Sequence, residues 1–464
     1  MGTDPPASEA LFAERAQALQ PVFAEQLMAF AQRGAHYADG FYEHTVLQHG
    51  RWTQRARGRL APPDVHIRSA LVEGLALQAH HAEGSWFGAC AEATPEAVQR
   101  LAHQFPAPDA PTAPIYTSAP ASEAAIRALL ERTADVLFGL SASVVEVRLE
   151  AQSRLRHTLV VNTHGATVTR LQPLTEVRAE ADVQGTQGTT SGAAQQAVMG
   201  LADAFANDVS EQVARDAIAQ AARLADAKPM PSGAYAVVLA AGWGGAWLHE
   251  VIGHRLEADV ASADGAASLG IQIAPAAVTL FDDGTYPGGR ASTSHDDEGT
   301  PSAKTTLIHN GRCLRWLTDR AHADRLGLPR TGNGRRASYA HPPLPRMTNL
   351  YLASGIDTPD ALRHAAQDGL LVHQLGQGMI DMAARTYRVY VREGRRLEHG
   401  QRTHAVRDVW LEGSIDDALH SIRGIANDGF LDVHRGRCLK HGQHLPIGCG
   451  LPTTLLSTIR VCPS

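Results

Sequence analysis

Residues 235–259 read YAVVLAAGWGGAWLHEVIGHRLEAD, and this stretch decides how the rest of the chain is interpreted. Its first seven residues form a short apolar run typical of a strand, and the glycine-rich residues 242–245 predict a turn. The residues that follow predict a helix with the pattern His-Glu-x-x-x-His, formed by His249, Glu250 and His254. Neutral imidazoles bind zinc, and a neighbouring carboxylate can accept a proton from an activated water. The segment therefore predicts a metal site on a helix that follows a strand.

The spacing of the two histidines requires a local distortion of this helix. In the common zinc-peptidase pattern the histidines are four residues apart and share one helix face. Here they are five apart, which turns the second by about 140° from the first on a regular α-helix. Both rings can reach one ion if the helix is unwound or bulged, or if it ends near His254, and Gly253 is compatible with such a distortion. Two histidines on the surface of an amphipathic helix are the alternative.

Length and composition restrict the class of protein. A chain of 464 residues is long enough for two domains with separate cores. It contains no run of about 18 apolar residues, and residues 1–20 lack the basic and apolar blocks of a secretory signal. Five cysteines are too few for a disulfide framework, so we expect a reducing, cytoplasmic location. The net charge of −6 argues against nucleic acid as a partner, and we expect no membrane partner.

A break at residues 229–233, Pro-Met-Pro-Ser-Gly, separates two parts of different composition. Before it, helical periodicity alternates with strand patterns, with a turn between two strands predicted at residues 48–50. Residues 105–122 contain five prolines and predict an extended surface connector. Beyond the break, glycines, strands and turns predominate. We therefore predict an N-terminal domain over residues 1–228 and a C-terminal domain over residues 229–464.

A third metal ligand must come from elsewhere in the chain, and the residues alone leave several candidates open. A thiolate would leave a fourth position free for water or substrate. The candidates are Glu257, Cys438, His441, His444, Cys449 and Cys462.

Four further blocks accompany the metal motif and resemble one known family. The blocks are Asp296–Pro301 (DDEGTP), Thr331–His341 (TGNGRRASYAH), Pro345–Asn349 (PRMTN) and Pro446–Pro452 (PIGCGLP). Together with residues from Trp243 onward they closely resemble the TldD/PmbA peptidase family over roughly residues 231–452, and Tyr37–Asp39 extends the resemblance weakly. Because the metal motif is present, the chain looks like the TldD type, whereas the PmbA-type partners, also called TldE, lack it.

The resemblance implies a fold, a ligand set and an activity. The fold would be α+β, with an N-terminal α/β domain and a C-terminal domain whose curved mixed β-sheet carries zinc. The ligands would be His249, His254 and a downstream cysteine that matches Cys438, with Glu250 as the general base. The activity would be zinc-dependent hydrolysis of unstructured peptides, including leader-peptide trimming of a ribosomal peptide natural product.

Two other functions remain open beside hydrolysis. The chain could be a zinc-containing enzyme of a biosynthetic cluster that modifies a ribosomal peptide without hydrolysing it. It could also be a non-catalytic regulatory subunit, since the family has been linked with modulation of DNA gyrase. The resemblance implies a peptide substrate and either a heterodimer with a PmbA/TldE-type subunit or a homodimer.

The same blocks suggest substrate contacts. We predict that an exposed loop rich in glycine and arginine binds a peptide's carbonyls and carboxylates. Its predicted substrate-binding residues are Asn333, Gly334, Arg335, Arg336, Tyr339 and His341. A tight structural turn is the alternative for each of them. The acidic residues 296–298 could bind a second cation or form a turn, and the turn is favoured.

Two positions depart from the family's usual glycines and bear on specificity. They are Arg255, directly after the second histidine, and Ala258, directly before Asp259. We expect Arg255 to narrow or recharge the substrate channel.

Overall fold

A computed structural model describes residues 5–55, 62–82, 84–104, 116–118, 123–186, 188–264 and 268–463. Within these ranges, no helix is both long enough and apolar enough to cross a membrane. All five cysteines are free thiols.

The N-terminal part is a large antiparallel sheet with five helices. Its strands are β1 (Tyr37–Arg55), β2 (Asp64–His81), β3 (Gly84–Cys90), β4 (Tyr116–Ser118), β5 (Val144–Asn162), β6 (Thr167–Gly185) and β7 (Gly188–Val198). Its helices are α1 (Pro5–Gln32), α2 (Pro95–His103), α3 (Ala124–Leu140), α4 (Leu201–Ala206) and α5 (Val209–Leu224). The strand order is β3-β2-β1-β5-β6-β7, and β4 pairs with β2 on the side.

Alternation along the long strands divides the sheet into two buried faces. On β1, Tyr42 and Trp52 pack with the helices, whereas Phe41 points to the other face and packs with Tyr339 of the C-terminal part. Because side chains alternate with a period of two, one strand contributes to both layers. The sheet is therefore enclosed between its own helices and the C-terminal part.

Two expectations for the N-terminal part change. The turn predicted at residues 48–50 is wrong, because β1 continues through them and Gln48 pairs with Ser69 on one side and Ser153 on the other. Pairing on both edges outweighs the local turn preference of a Gln-His-Gly sequence. Within the predicted connector, Tyr116–Ser118 forms β4, and residues 105–115 and 119–122 lie outside the described residues.

The C-terminal part begins at β8 and consists mainly of strands. They are β8 (Gly233–Leu239), β9 (Leu280–Asp283), β10 (Lys304–His309), β11 (Arg312–Cys313), β12 (Gly334–Arg335), β13 (Leu344–Pro345), β14 (Asn349–Leu352), β15 (Gly369–Asp381), β16 (Thr386–Glu398), β17 (Gln401–Val406), β18 (Val409–Ser414), β19 (Ile422–Ile425), β20 (Phe430–Asp432), β21 (Arg437–Lys440), β22 (Gln443–Pro446), β23 (Gly448–Leu451) and β24 (Thr454–Pro463). Its helices are α6 (Gly245–Leu248), α7 (Ala258–Asp264), α8 (Arg320–Leu326) and α9 (Pro359–Ala365).

Five of these strands close into a barrel. The order is β15-β8-β24-β18-β16, and β16 pairs again with β15, so the sheet returns to its first strand. The β15–β8 pair is parallel and the others are antiparallel. A second sheet has the order β11-β10-β9-β14-β23-β20. The predicted α+β class, with a curved mixed sheet in the C-terminal part, is confirmed. Residues 225–232 link the two parts, so the division proposed after residue 228 falls between α5 and β8.

Candidate metal centre

The chain leaves the barrel at the end of β8 and enters an irregular helix that carries the metal motif. One α-helical turn, α6, is followed by a π-helical segment, His249–Gly253, and then by a 3₁₀ turn, His254–Leu256. A π-helix closes its hydrogen bonds over five residues instead of four, so residues five apart come to the same side. The bulge that the histidine spacing requires is therefore present, and it lies between the two histidines.

Three side chains converge at this helix. The ligand atoms of His249, His254 and Cys438 all lie within 4.8 Å of one another. The Cys438 Sγ atom is 3.4 Å from the His254 Nε2 atom, and the two imidazole rings are 4.8 Å apart between centroids, at 74° to each other. The structure thus brings together two residues of one helix and a third from almost two hundred residues later in the chain.

This donor set fits a zinc ion. A sulfur at about 2.3 Å and a nitrogen at about 2.0 Å from one tetrahedral ion lie roughly 3.5 Å apart, which matches the observed sulfur–nitrogen separation. His249 and Cys438 are almost fully buried, and the Nδ1 atom of His249 has no hydrogen-bond partner among the described residues. Two imidazoles and one thiolate favour zinc over the harder magnesium or calcium ions, which prefer oxygen ligands.

The protonation of the three groups is strongly coupled. Burial opposes a thiolate at Cys438, but His249 and His254 outweigh it and hold the pKa of this thiol well below its usual value. Burial likewise opposes charge on His254, yet Glu257 raises the pKa of its ring to about 9. A thiolate is the form in which cysteine binds a metal. Binding would release the imidazole protons.

A second layer of side chains orients His254. Its Nδ1 atom lies 2.8 Å from a carboxylate oxygen of Glu257, which leaves the other ring nitrogen facing Cys438. Glu257 is fully buried and also accepts a hydrogen bond from the Lys440 ammonium group at 2.7 Å. Lys440 in turn donates to Asp259 at 2.8 Å. A carboxylate behind a histidine fixes the tautomer and orientation of a metal ligand.

Cys438 is presented by the two-stranded hairpin of β21 and β22. The loop between these strands is His441-Gly442, and both of its residues have positive φ, as a tight hairpin turn requires. The buried guanidinium of Arg346 donates to the backbone carbonyls of Cys438, at 2.9 Å, and of Gln443, at 3.2 Å. It thereby anchors both strands of the hairpin against the rest of the site.

The other candidate ligands take different positions. Glu257 contacts His254 from behind and lies outside the three-residue group. His441 and His444 are exposed on the hairpin, and Cys462 lies near Glu412 at the end of β24. Cys449 is fully buried beside His249, and burial raises the pKa of its thiol. Among the described residues, Cys438 is therefore the cysteine that joins the two histidines.

Gly253 is required for packing. Its φ is −54°, which any residue adopts in a helix. A Cβ atom at this position would collide with the sulfur of Met347 and come within 3.1 Å of Leu350. The glycine therefore allows the π-helical segment to approach β14 and the residues before it, and its effect on the helix is steric.

The three residues and Glu250 line a cleft of about 720 Å³ between the two parts of the chain. One wall is formed by β5, β6 and β7, and the other by β15, β16 and the segment before β21. Glu250 packs against Gly378 of β15, where a Cβ atom would come within 2.6 Å of its side chain. We call this space the metal cleft. The carboxylate of Glu250 thus lies on the same side of the helix as the candidate ligands.

Family models match both parts of the chain. The PmbA/TldA metallopeptidase central domain matches residues 116–225, and the C-terminal domain of the same family matches residues 232–462. A relative named metalloprotease TldD homolog, from Buchnera aphidicola, is 30% identical over 72% of this chain and 71% of its own length. This chain belongs to the PmbA/TldD metallopeptidase family. The assignment confirms the resemblance seen in the metal motif and in the four later blocks.

Other members of the PmbA/TldD family give the same assignment. The metalloprotease TldD homolog of Haemophilus influenzae is 36% identical over 53% of this chain, which here spans about half (52%) of that relative's length. The crystal structure of TldE from Thermococcus kodakarensis matches with a TM-score of 0.69, covering 95% of this chain and 99% of that one. At 15% identity this likeness shows that the fold is shared.

The structure contradicts the expectation of an exposed loop at residues 331–341. Arg335 and Arg336 are almost fully buried, and their guanidinium groups donate to protein partners. Arg335 donates to the carbonyls of Met347 and Pro446, and Arg336 donates to Asp39 and to the carbonyl of Asp297. Burial removes both side chains from the surface, and acceptors inside the protein take part of their donors.

The other predicted substrate-binding residues of this loop also contact groups of the protein itself. Asn333 donates to Asp282 at 2.8 Å, and the Gly334 amide donates to Asp296 at 2.9 Å. Tyr339 is buried against the N-terminal sheet, and His341 contacts the Ser338 hydroxyl at 2.9 Å. None of the six predicted substrate-binding residues lines the metal cleft. Their contacts support the alternative of a tight structural turn, and a role in substrate binding stays a prediction.

The contacts correct one further expectation and support another. Arg255 points away from the metal cleft and donates to the Ile415 carbonyl and the Asp416 carboxylate, both at 3.0 Å, so it neither narrows nor recharges the cleft. Ala258 is fully buried. Asp296 accepts from the amides of Glu298 and Thr300, which favours the turn over a second cation site at residues 296–298.

The sequence interpretation missed Lys440 and most of the cleft wall. One signal for Lys440 was available, since the chain has only three lysines and this one lies two residues after Cys438. The arginines of the wall, such as Arg178 and Arg392, gave no signal. Arginine is common throughout the chain, and strand side chains share a cleft only after the two parts have packed together.

Proposed function

We propose that this chain is a zinc-dependent peptidase that hydrolyses unstructured peptides. The observation that carries the proposal is the convergence of His249, His254 and Cys438 beside Glu250 in one cleft. Three protein ligands with a free fourth position distinguish catalytic zinc sites from structural ones, which have four.

Each residue has a defined task in this reaction. His249, His254 and Cys438 would hold the ion, and Glu257 would keep the His254 ring oriented. A bound zinc ion supplies Lewis acidity, which polarises a carbonyl and makes water a nucleophile near neutral pH. Glu250 accepts the proton of the attacking water and passes it to the leaving amine. Its contact with Gly378 holds the carboxylate at the floor of the cleft.

The shape of the metal cleft favours an extended peptide. Strand β7 is an edge strand of the N-terminal sheet, and its residues 193–195 line the cleft. On the opposite wall, residues 374–378 of β15 line it as well. An extended segment can pair with an edge strand through its main chain, which makes recognition tolerant of sequence. A folded domain would not enter a cleft of about 720 Å³.

Replacing the proposed base separates hydrolysis from metal binding. We expect Glu250→Gln to retain one zinc per chain and to lower kcat/KM for a quenched fluorescent peptide by at least about a hundredfold. The matched control is Glu211→Gln, which removes an exposed carboxylate from α5. Normal turnover by the Glu250→Gln variant would refute the role of the base.

Replacing the cysteine tests the ligand set. We expect Cys438→Ser to lose bound zinc after dialysis, measured by atomic emission, while Cys462→Ser keeps it because Cys462 lies at the far end of β24. Equal zinc content in the two variants would exclude Cys438 as a ligand.

The product distinguishes hydrolysis from the alternatives. Cleavage, including leader-peptide trimming in the cytoplasm, splits the peptide and adds the mass of one water, whereas a non-hydrolytic modification leaves a single chain. Mass spectrometry on a ribosomal precursor peptide would show which occurs. A purified chain that contains no zinc and leaves the mass of the precursor peptide unchanged would favour a regulatory subunit.

The assembly is proposed from the fold. Because TldE of Thermococcus kodakarensis shares this fold over nearly its whole length, the chain would pair with a metal-free subunit of the same architecture or with itself. Light scattering of the chain alone and after co-expression with such a subunit tests the two states.

A further inference from the structure

Three arginines line the metal cleft without a strong partner. Arg178 comes from β6, Arg392 from β16, and Arg435 from the segment before β21. Arg392 is half-buried and has no hydrogen bond or ion pair within the described part of the chain. Arg178 is 3.9 Å from Glu180, and Arg435 is 3.8 Å from Asp432. These distances are at the limit for an ion pair, so three guanidinium groups keep most of their donors free. We call the surface that they form, which spans both sides of the metal cleft, the arginine wall.

The three groups also affect one another. Burial, together with the like charge of Arg178 and of Arg435, lowers the pKa of Arg392, and the opposing effect of Glu180 is too small to reverse the shift. An arginine nevertheless stays charged at neutral pH. The Nε atom of Arg435 is buried and has no hydrogen-bond partner among the residues that the structure describes. Like charges gathered at a partly dry wall are costly unless an anion binds there.

The acidic residues of the metal cleft do not neutralise this wall. Glu150 is paired with His49 at 2.7 Å. Glu176 accepts from Arg290 and, at 2.7 Å, from Arg437. The remaining carboxylate, Glu250, belongs to the residue directly after His249 and lines the cleft together with His249, His254 and Cys438, which we call the metal group. Positive charge at the wall is therefore in excess.

A bulge in the barrel is located at Arg392. Along β15 and β16, Gln374 pairs with Glu393 and Leu375 with Val391, so Arg392 is the extra residue of β16. Bulges interrupt the regular alternation of a strand and redirect a side chain, and they are common beside active sites. Here the redirected residue lines the metal cleft.

A second cavity of about 530 Å³ continues from this wall. It shares Ala193, Gln374 and Arg435 with the metal cleft. Its lining includes Arg395 and Arg402, which have no ion pair or side-chain hydrogen bond within the described ranges. The positive surface thus extends beyond the three arginines, away from the metal group.

Strand β15 gives the distance between the arginine wall and the metal group, because it passes both. Arg392, the bulge residue, lies beside the step from Gln374 to Leu375 of β15, and Glu250 contacts Gly378, three residues beyond Leu375. Three residues of extended chain span roughly 10 Å. An extended peptide in the cleft would therefore reach the arginine wall about three residues from the bond at the metal group.

We infer that Arg178, Arg392 and Arg435 bind carboxylates of the substrate, so that the enzyme prefers peptides with Asp, Glu or a terminal carboxylate about three residues from the cleaved bond. This inference rests on the proposed peptidase function, whose substrate class it narrows. Guanidinium groups form paired, charge-assisted hydrogen bonds with carboxylates, which makes such a subsite selective.

Binding to an inactive enzyme tests the inference apart from catalysis. The zinc-loaded Glu250→Gln chain is titrated with a fluorescent decapeptide that carries two glutamates and with the same peptide carrying glutamines, each with a free and an amidated C-terminus. We expect the glutamate peptide to bind at least tenfold more tightly, as charge-assisted hydrogen bonds predict. The amidated versions distinguish side-chain carboxylates from the terminal one.

Variants locate the effect. Added to the Glu250→Gln background, Arg392→Gln should reduce the preference to less than threefold, and so should Arg178→Gln from the opposite part of the chain. The matched control is Arg388→Gln on the same strand, since Arg388 is paired with Glu412 and stacks over Trp410 outside the cleft. Thermal melts show which variants fold.

The outcomes separate the two proposals. Equal binding of all four peptides, or a preference that both cleft variants retain, would overturn the carboxylate subsite even if the wild-type enzyme cleaves peptides. A preference that Arg392→Gln abolishes would support the subsite even if the wild type cleaves none, in which case the peptidase proposal alone would fail. An oligonucleotide that binds as tightly as the glutamate peptide and competes with it would also overturn the carboxylate assignment.

Discussion

At the scale of single residues, the candidate centre depends on a chain of contacts behind the ligands. His254 contacts Glu257, Glu257 contacts Lys440, and Lys440 follows Cys438 by two residues on the same hairpin. The second layer therefore links the candidate ligand on the helix, His254, to the candidate ligand on the hairpin, Cys438. This link explains why a buried acid and a buried lysine lie beside a site that needs only imidazole and thiolate.

The first prediction concerns this link. Glu257→Gln should weaken zinc binding about 10- to 100-fold, because the amide no longer fixes the tautomer and basicity of His254. Competition with a chromophoric chelator measures the affinity. Glu398→Gln, at the exposed end of β16, is the control. Unchanged affinity in Glu257→Gln would mean that the carboxylate serves only to neutralise Lys440.

At the scale of elements, the π-helical segment determines the geometry of the site. Residues five apart diverge on an α-helix and converge on a π-helix, so one local change in hydrogen bonding decides whether His249 and His254 can share an ion. The segment keeps this form while packed against Met347 and Leu350, and Gly253 allows that close approach.

The second prediction tests this packing with a double-mutant cycle. Gly253→Ala should destabilise the protein by about 1–3 kcal/mol, as overpacking in a core does, and should weaken zinc binding by displacing His254. Met347→Ala removes the side chain that the new Cβ atom would meet. We expect the double variant to bind zinc more tightly than Gly253→Ala alone.

Urea denaturation and zinc titration of all four proteins complete the cycle. If Met347→Ala restores neither the stability nor the zinc binding of Gly253→Ala, then Gly253 is required for its backbone conformation and not because a Cβ atom would collide with Met347.

At the scale of the whole molecule, buried charges join the two parts of the chain. Asp297 of the C-terminal part is paired with Arg156, at 3.2 Å, and with Arg170, and both arginines come from the N-terminal sheet. All three side chains are 4% exposed. Both walls of the metal cleft depend on this contact, because one belongs to each part.

The third prediction concerns the pH dependence of this interface. Burial opposes charge on Asp297, but Arg156 and Arg170 outweigh it and hold the pKa of the carboxyl group below its usual value. A carboxyl group with a lowered folded-state pKa stabilises the fold above its unfolded pKa of about 3.9 and loses this contribution as pH falls further. Stability should therefore decline steeply below about pH 4.

Asp297→Asn tests the prediction. At pH 7 it should cost about 3–5 kcal/mol, because two buried guanidinium groups lose a charged partner and Arg156 keeps only Glu43. Its further decline on acidification should be shallower than in the wild type. Urea denaturation between pH 7 and pH 3 measures both effects, with Asp360→Asn, an exposed residue of α9, as the control. Parallel curves for wild type and Asp297→Asn would contradict this role.

From the sequence alone we located the two motif histidines with their adjacent glutamate and the need for a bulge between them. These features depend on local spacing, which a linear pattern contains, whereas the family and the α+β class came from the resemblance of the chain's motifs to the PmbA/TldD family. The family pattern also singled out Cys438 among six possible third ligands.

The burial and contacts of the remaining residues depend on how distant segments of the chain pack together. Arg335 and Arg336 look like exposed binding residues in the sequence, yet they are buried, because their acceptors come from Met347, Pro446 and Asp39. The arginines of the metal cleft, in contrast, have no signal in the sequence, yet strands that are far apart in the chain bring them together in one cleft. Burial and proximity are properties of packing between distant segments, and no local pattern records them.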